Sequence, residues 1–142
     1  EADYDIAFAE WETLWRESDI ISIQIPIMPE THKIVGAKEF ALMKSNALFV
    51  NTARGKLVDE EALITALQER KIGGAALDVF YDEPLAEDSP LHNLAEDLSY
   101  NVTITPHTAW QSPWTHVRDS LDIWDNVLAV IEGKPIQHEV TA

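Results

Sequence analysis

Short apolar segments alternate along this chain with segments of helical periodicity, and that alternation limits the fold more than any other feature. The apolar segments lie at residues 20–26, 47–51, 75–80 and 101–105. Their apolar residues are nearly continuous, which is typical of strands buried on both faces of a parallel sheet. Parallel neighbours need crossover connections, and these are right-handed in nearly all proteins. The pattern therefore predicts an α/β fold with a doubly wound parallel sheet.

The segments between these strands carry signals for helix ends. Asp59 is a good N-cap, and Ser112 would begin the longest helix, predicted over residues 112–133. Shorter helices are predicted near Trp11 and over residues 37–43. The tryptophans of the first and last helices fall at core spacing, so we expect them to pack inside. A strand end is predicted before the first helix, and a long polar loop before the fourth strand.

Composition excludes several classes of function. The chain has 25 acidic and 10 basic residues, a net charge of −15, which argues against a nucleic-acid partner. It has no cysteine, which removes disulfides and thiolate metal sites and fits a reducing compartment. No apolar run is long enough to span a membrane, and no leader pattern opens the chain. The histidines lack metal-ligand spacing, so no metal is predicted. We expect one soluble cytoplasmic domain.

Charged side chains follow the predicted strands where a ligand would bind. Arg54 follows the second strand, Asp78 and Glu83 follow the third, and His107 follows the fourth. Ligands of open parallel sheets bind outside the carboxyl ends of the strands, so these side chains should converge on one edge. Together they could hold an anion and transfer a proton.

Each of these residues also has a structural explanation. An arginine after a strand is more often a member of a surface ion pair than a substrate ligand. Glu83 could be a solvated turn residue, and Asp78 a turn or helix cap. His107 could be a structural imidazole. Position alone does not separate these alternatives.

A family resemblance favours the functional interpretation. The stretch MKSNALFVNTARGKLVD at residues 43–59 resembles the signature of the D-isomer-specific 2-hydroxyacid dehydrogenases at essentially every position. Further matches, in the right order, lie at residues 18–21, 29–31, 78–84 and 105–107. The run HTAW at 107–110 is similar to that of the hydroxypyruvate and glycerate dehydrogenase branch and of the corepressor-like branch. The resemblance covers nearly the whole chain.

The resemblance implies a Rossmann-like sheet and an oxidoreductase that transfers a hydride between NAD or NADP and a small 2-keto or D-2-hydroxy acid. Arg54 would hold the substrate carboxylate, because a guanidinium offers several donors in a fixed plane. His107 would be the proton donor, with Glu83 as its carboxylate partner. Contacts to the cofactor would come from Pro26, Thr52, Ala53, Arg54, Asp78, His107 and Trp110.

Two features depart from the family pattern. Gln24 stands where the family usually has histidine or asparagine. The Gly-x-Gly-x-x-Gly turn that cradles the cofactor pyrophosphate is absent, because the five glycines cannot build it. We therefore expect residues 1–142 to be the C-terminal portion of a dinucleotide-binding domain truncated at its N-terminal part. Its last helix, 112–133, would pack on an absent substrate domain.

Truncation predicts how the isolated chain behaves. It should be inactive alone, and should form a homodimer or bind a complementing N-terminal fragment of the same protein. The alternative is a non-catalytic module of the same lineage that senses NAD or binds another protein. Retention of Arg54, Glu83 and His107 together favours the enzyme, since a scaffold gives no physical reason to keep all three.

Overall fold

The computed structural model describes residues 6–137. Four short strands alternate with five helices: α1 (Trp11–Glu17), β1 (Ile20–Ile23), α2 (Ala37–Leu42), β2 (Leu48–Asn51), α3 (Glu60–Gln68), β3 (Gly74–Leu77), α4 (Pro90–Glu96), β4 (Val102–Ile104) and α5 (Pro113–Glu132). A short 3₁₀ helix, Gly55–Leu57, lies between β2 and α3. Among the described residues, no helix has both the length and the apolar character needed to cross a membrane.

The four strands form one parallel sheet in the order β1-β2-β3-β4. The predicted parallel α/β architecture is therefore confirmed. Right-handed crossovers between strands in sequential order place their helices on the same face of a sheet. In agreement, α2 packs against α3 and α3 against α4.

The core lies between this helical layer and the sheet. Residues paired in register, such as Ile21 with Phe49, point into it and are buried. Trp15 of α1 is 1% exposed, and its ring stacks on Phe49 at a centroid distance of 6.2 Å. Phe40 of α2 meets Phe49 edge-on at 5.4 Å. These aromatic contacts join α1, α2 and β2, so the predicted packing of the first helix holds for Trp15, whereas Trp11 remains 40% exposed.

The opposite face of the sheet carries less buried residues. Ile20 is 63% exposed, Ser22 is exposed, and Leu48 and Val50 are half-buried. β1 and β4 are the two edge strands, because each pairs with a single neighbour within the described sheet. In a doubly wound fold this face receives a second layer of helices, so the exposed residues mark where such a layer would pack.

The chain divides into two compact units, Glu1–His107 and Thr108–Ala142. The first contains the whole sheet. The second contains α5, which Ser112 caps by accepting a hydrogen bond from the Thr115 amide and which ends at Gly133 with a φ of 67°. Both ends of α5 agree with the sequence prediction. Trp114 and Trp124 are 86% and 65% exposed, however, so the expectation that they pack in a core is wrong for this chain.

Three other predictions needed correction. The segment between β3 and β4 is not only loop, since Ser89 caps α4 and Pro90 is its first residue. The strand end expected before α1 is absent, because residues 6–10 form neither strand nor helix. All four strands are shorter than the apolar runs that predicted them. The run of β3 continues into the buried residues Val79 and Phe80, whereas those of β1 and β4 continue into exposed residues such as Pro26 and Thr105.

Candidate functional site

The predicted functional residues occupy the loops that leave the carboxyl ends of the strands. Arg54 lies three residues after the end of β2 and directly before the 3₁₀ helix. Asp78 follows β3 immediately, and Glu83 lies in the next loop. His107 follows β4 and is the last residue of the first unit. All four therefore belong to one unit and one edge of one sheet.

Glu83 and His107 are in direct contact. Oε2 of Glu83 lies 2.7 Å from Nδ1 of His107. The other carboxylate oxygen, Oε1, accepts a hydrogen bond from the Phe80 backbone N–H at 3.0 Å. An ionised carboxylate can only accept, so Nδ1 carries the proton of this contact and Nε2 remains for another partner. The contact orients the imidazole from a carboxylate that is itself held by the backbone.

The charge state of Glu83 follows from these contacts. Partial burial raises the pKa of the Glu83 carboxyl, but the hydrogen bonds from His107 and Phe80 and the positive charges of His107 and Arg54 lower it more. The net result is a pKa below the ordinary value of 4.5. Glu83 is thus a carboxylate at neutral pH and can stabilise an imidazolium beside it.

His107 has an unusual backbone. Its φ is 55°, in the left-handed region that non-glycine residues rarely adopt, and its N–H donates to the Thr105 carbonyl at 3.0 Å. This conformation costs on the order of 1 kcal/mol for a side chain with a Cβ. The turn that imposes it brings the ring to Glu83.

The loop that carries Arg54 is held by the side chain of Asn51. Asn51 is 1% exposed. Its Oδ1 accepts a hydrogen bond from the Ala53 N–H, and its Nδ2 donates to the Arg54 carbonyl, both at 3.0 Å. The guanidinium itself is exposed, donates from Nη1 to the Ala53 carbonyl at 2.6 Å, and forms no salt bridge with any of residues 6–137. The simple explanation of Arg54 as a surface ion-pair residue is therefore unsupported.

Gly55 allows this loop to lie against the loop that carries Glu83. A Cβ at Gly55 would fall 1.8 Å from the Phe80 carbonyl oxygen, so only glycine fits there. The amide of Phe80 is the group that holds Glu83. The Arg54 and Glu83 loops are consequently packed backbone to backbone.

Residues proposed to contact the cofactor line the same edge. Asp78 is 3% exposed and accepts a short hydrogen bond from the Thr105 hydroxyl. Thr52 and Pro26 are exposed, and Ala53 is half-buried. Gln24, which departs from the family pattern, donates from Nε2 to Ser22 at 2.9 Å and to Thr52 at 3.0 Å. Polar groups on three adjacent strand ends therefore face solvent or lie just beneath it.

A cavity of about 420 Å³ lies on one side of the Glu83–His107 pair. Its walls are mostly apolar and include Phe80, Leu85 and Ile104, with His92 as a further imidazole. Arg54 is not among the lining residues. The cavity therefore adjoins the Glu83–His107 pair without direct contribution from Arg54.

Two further predictions have different outcomes. Trp110 belongs to the second unit, where its ring lies 6.2 Å from that of His116, so its predicted cofactor contact stays a prediction. Among residues 6–137 no group of three or more histidine, aspartate or glutamate side chains is arranged to hold a metal. His138, the last of the five histidines for which no metal site was predicted, lies outside the described residues.

Sequence reasoning did not find the contacts that hold the loops of the site in place. Asn51, Gly55 and Thr105 were seen as parts of motifs, without the contacts described above. An asparagine two residues before a turn amide is a recognisable signal for an Asx turn. The close approach of Gly55 to Phe80 and the contact between Thr105 and Asp78 have no local signal, because each joins residues more than twenty positions apart.

Comparison with known proteins agrees with the geometry. Glyoxylate/hydroxypyruvate reductase B of Escherichia coli O1:K1 / APEC is 40% identical over 134 residues, which are 94% of this chain and 40% of that protein. D-lactate dehydrogenase from Lactobacillus jensenii, solved with NAD+, is 34% identical with a TM-score of 0.80, over 94% of this chain and 43% of that one. A D-isomer specific 2-hydroxyacid dehydrogenase from Xanthobacter autotrophicus Py2, solved with NADPH and MES, is 36% identical with a TM-score of 0.72, over 92% and 51%.

These matches also define what the chain covers. It spans about 40% of the length of the curated relatives it matches. Residues 1–109 match the sequence profile of the D-isomer specific 2-hydroxyacid dehydrogenase, NAD binding domain. Because this match includes most of the chain and both loops of the Glu83–His107 pair, the chain belongs to the D-isomer specific 2-hydroxyacid dehydrogenase family and represents part of its NAD binding domain.

Proposed function

We propose that the protein containing this chain is an NAD(P)-dependent dehydrogenase that interconverts a small 2-keto acid and the corresponding D-2-hydroxy acid. The observation that carries the proposal is the 2.7 Å contact between Glu83 and His107, at the same sheet edge as Arg54. An acid with a carboxylate partner, at the same edge as a guanidinium that has no carboxylate partner among residues 6–137, suits a substrate that is both an anion and a proton acceptor.

Arg54 would hold the substrate carboxylate. Its guanidinium is exposed and has no carboxylate partner among residues 6–137, so its donors are available to an anion. A planar guanidinium can bind two oxygens at once and so fix the orientation of the keto acid. The chain carries a charge of −15, which makes such a local cation necessary for binding an anionic substrate.

His107 would give the proton that the substrate oxygen needs during reduction. Its Nδ1 is engaged by Glu83, which leaves Nε2 to face the substrate carbonyl. The negative charge of Glu83 stabilises the imidazolium before transfer and fixes the ring during it. In the reverse direction the neutral ring would accept the hydroxyl proton of the 2-hydroxy acid.

The nicotinamide cofactor, when bound, supplies the hydride chemistry. The residues present fit one end of such a molecule. Thr52 is exposed with a hydroxyl that can donate, and the Asp78 carboxylate lies at the end of β3. The pyrophosphate cradle would come from residues outside this sequence, since its glycines do not form the required turn. Relatives solved with NAD+ or NADPH support either cofactor.

Steady-state kinetics of the full-length protein test the proposal. NADH or NADPH oxidation is followed with glyoxylate, hydroxypyruvate and pyruvate as substrates. Replacement of His107 by alanine should lower kcat by roughly 10²–10⁴-fold, the usual effect of losing a general acid. His32→Ala is the matched control, since this exposed histidine contacts the Tyr81 side chain rather than Glu83, His107 or Arg54, and its replacement should leave kcat unchanged.

The same measurement separates the alternatives. A loss of less than a few-fold in His107→Ala would remove this residue from proton transfer. A wild-type protein that binds NADH yet reduces none of the keto acids would favour the non-catalytic module described in the sequence analysis.

A further inference from the structure

We infer that Asn51 is a positioning residue for substrate binding, which acts by fixing the backbone turn from which Arg54 extends. The inference rests on the proposed function of Arg54 and adds a residue to it. Asn51 is one of four buried polar or charged residues among the described part of the chain, and it lies at the carboxyl end of a central strand. A buried amide at that place requires partners.

Both functional groups of the amide are used on the same turn. Oδ1 accepts from the Ala53 N–H and Nδ2 donates to the Arg54 carbonyl, each at 3.0 Å. The side chain therefore ties the Ala53 N–H and the Arg54 carbonyl to the end of β2. Neither bond is made to a distant element, so their structural effect is confined to the loop that presents Arg54.

The direction of the guanidinium depends on this turn. The Arg54 side chain makes one hydrogen bond to a described residue, to the adjacent Ala53 carbonyl, and is otherwise exposed. With no distant anchor, its position is set by the backbone at residues 53 and 54. Gly55 holds the far side of the loop against Phe80, and Asn51 holds the near side.

Only an amide satisfies both contacts. A carboxylate at position 51 could accept from Ala53 but would repel the Arg54 carbonyl, and a hydroxyl could make only one of the two bonds with favourable geometry. Asn51→Asp keeps the shape and removes the donor. Asn51→Ser is the milder variant, in case the buried charge of the first prevents folding.

Kinetics of the full-length protein with a double-mutant cycle test the inference. Asn51→Asp and Asn51→Ser should lower kcat/KM for the keto acid by roughly 10–100-fold. Most of the change should be in KM, because a displaced Arg54 guanidinium binds the substrate carboxylate less well. The dissociation constant of NADH should change less than KM does, because the Asn51 amide bonds Ala53 and Arg54, whereas the Thr52 hydroxyl is held separately by Gln24. In an Arg54→Lys background the same changes should have little further effect, since coupled residues are not additive.

Ser89→Ala is the control for a general loss of stability. Ser89 is also buried and hydrogen-bonded, but it caps α4, so its replacement should leave the KM of the keto acid unchanged. Effects of Asn51 and Arg54 that multiply independently, or an unchanged KM in both Asn51 variants, would overturn the inference.

A second measurement decides the matter if the wild-type protein reduces no keto acid. The heteronuclear NOE of the Arg54 Nε–H reports how well the side chain is ordered. It should fall in Asn51→Ser and remain at the wild-type value in Ser89→Ala. An equal value in Asn51→Ser and wild type would refute a positioning role, whatever the activity of the protein.

Discussion

Glu83 uses its two carboxylate oxygens for different tasks. One accepts from the Phe80 amide and closes the loop after β3, and the other faces His107. Glu83 is therefore a turn residue, as the structural interpretation predicted, but its carboxylate is held by two contacts, and its functional role stays a prediction. A residue that closes its own loop presents its second oxygen in a defined direction, which a solvated glutamate would not do.

The lowered pKa of Glu83 predicts a pH-dependent contribution to stability. A carboxyl whose pKa is depressed by folding stabilises the protein above its unfolded pKa, and this contribution disappears as the pH falls through the folded pKa. Glu83→Gln cannot titrate. The difference in melting temperature between wild type and Glu83→Gln should therefore shrink as the pH falls from about 5 through the ordinary pKa value of 4.5 and below it.

Thermal unfolding at several pH values from neutral to about pH 3 measures this difference. The effect should be small, at most about 1 kcal/mol, because the pair is partly exposed. The groups that face the carboxylate are His107, Arg54 and the Phe80 amide. A difference that stays the same across the whole range would show that Glu83 is not a stabilising carboxylate.

Arg54 should be sensitive to the shape of its side chain as well as to its charge. Arg54→Lys keeps the charge but replaces a planar set of donors by a single ammonium. In the full-length protein we expect KM for the keto acid to rise and kcat/KM to fall by roughly 10–100-fold, the effect of losing one charged hydrogen bond. NADH affinity, measured by calorimetry, should change little.

Lys56→Ala is the matched control for Arg54→Lys. It removes a neighbouring cation, whose ammonium lies 5.7 Å from the centre of the Tyr81 ring, and should leave both constants unchanged. If Lys56→Ala raises KM as much as Arg54→Lys, the site responds to total charge, and the specific role of Arg54 is wrong.

At the scale of elements, the contact between the β2 and β3 loops makes one glycine indispensable. Gly55→Ala would place a methyl group 1.8 Å from the Phe80 carbonyl oxygen, and backbone cannot yield as a flexible side chain can. We expect a loss of about 2–4 kcal/mol in unfolding free energy. Urea denaturation measures it.

Gly36→Ala is the control for this substitution. The nearest atom to a Cβ at Gly36 is Oε2 of Glu39 at 3.9 Å, which is ordinary contact, so the cost should stay below about 1 kcal/mol. Equal losses in the two variants would mean that the loops can separate, and the packed arrangement would not hold.

The elements themselves were predictable to different degrees. Asp59 and Ser112 were recognised as caps because capping depends on neighbouring residues, and both accept the expected amide hydrogen bonds. α4 was missed although Ser89 and Pro90 carry the same signal as Ser112 and Pro113. Its seven residues lie among turn-forming ones, and their apolar stripe is only Leu91 and Leu94.

For the whole molecule, the order of the strands predicts association. β1 is an edge strand, and the apolar stripe of α5 is exposed, with Trp114 86% and Ile131 74% exposed. Unpaired strand edges and large apolar patches favour pairing with another chain. The charge of −15 opposes non-specific aggregation, so we expect a defined homodimer or a complex with an N-terminal fragment of the same protein.

Light scattering at micromolar concentration, with and without an added N-terminal fragment of the full-length protein, measures the association. A cooperative monomer that binds no such polypeptide would contradict the prediction. The edge of β1 that pairs with no strand of the described sheet, and the sheet face that carries Ile20, would then be stable without a partner.

The candidate site was predictable in its members more than in its construction. The strand ends brought Arg54, Glu83 and His107 to one edge of the predicted sheet. Only the family resemblance favoured their functional interpretation over the structural one. The 2.7 Å contact between Glu83 and His107 depends on a left-handed backbone conformation at His107. A histidine at this position does not predict that conformation. The support from Gly55 depends on packing between two loops, which has no local signal in the sequence, whereas the turn that Asn51 closes does have one.

Arg54, Glu83 and His107 all lie in the first unit, which ends at His107. A gene segment encoding this unit would carry the three side chains together, with their geometry set by one sheet. If these residues have the proposed roles, recombination that joined the segment to different flanking sequence would change which substrates bind without changing the groups that bind the anion and transfer the proton. The placement of these residues would thus let lineages diverge in substrate preference while inheriting the same chemistry.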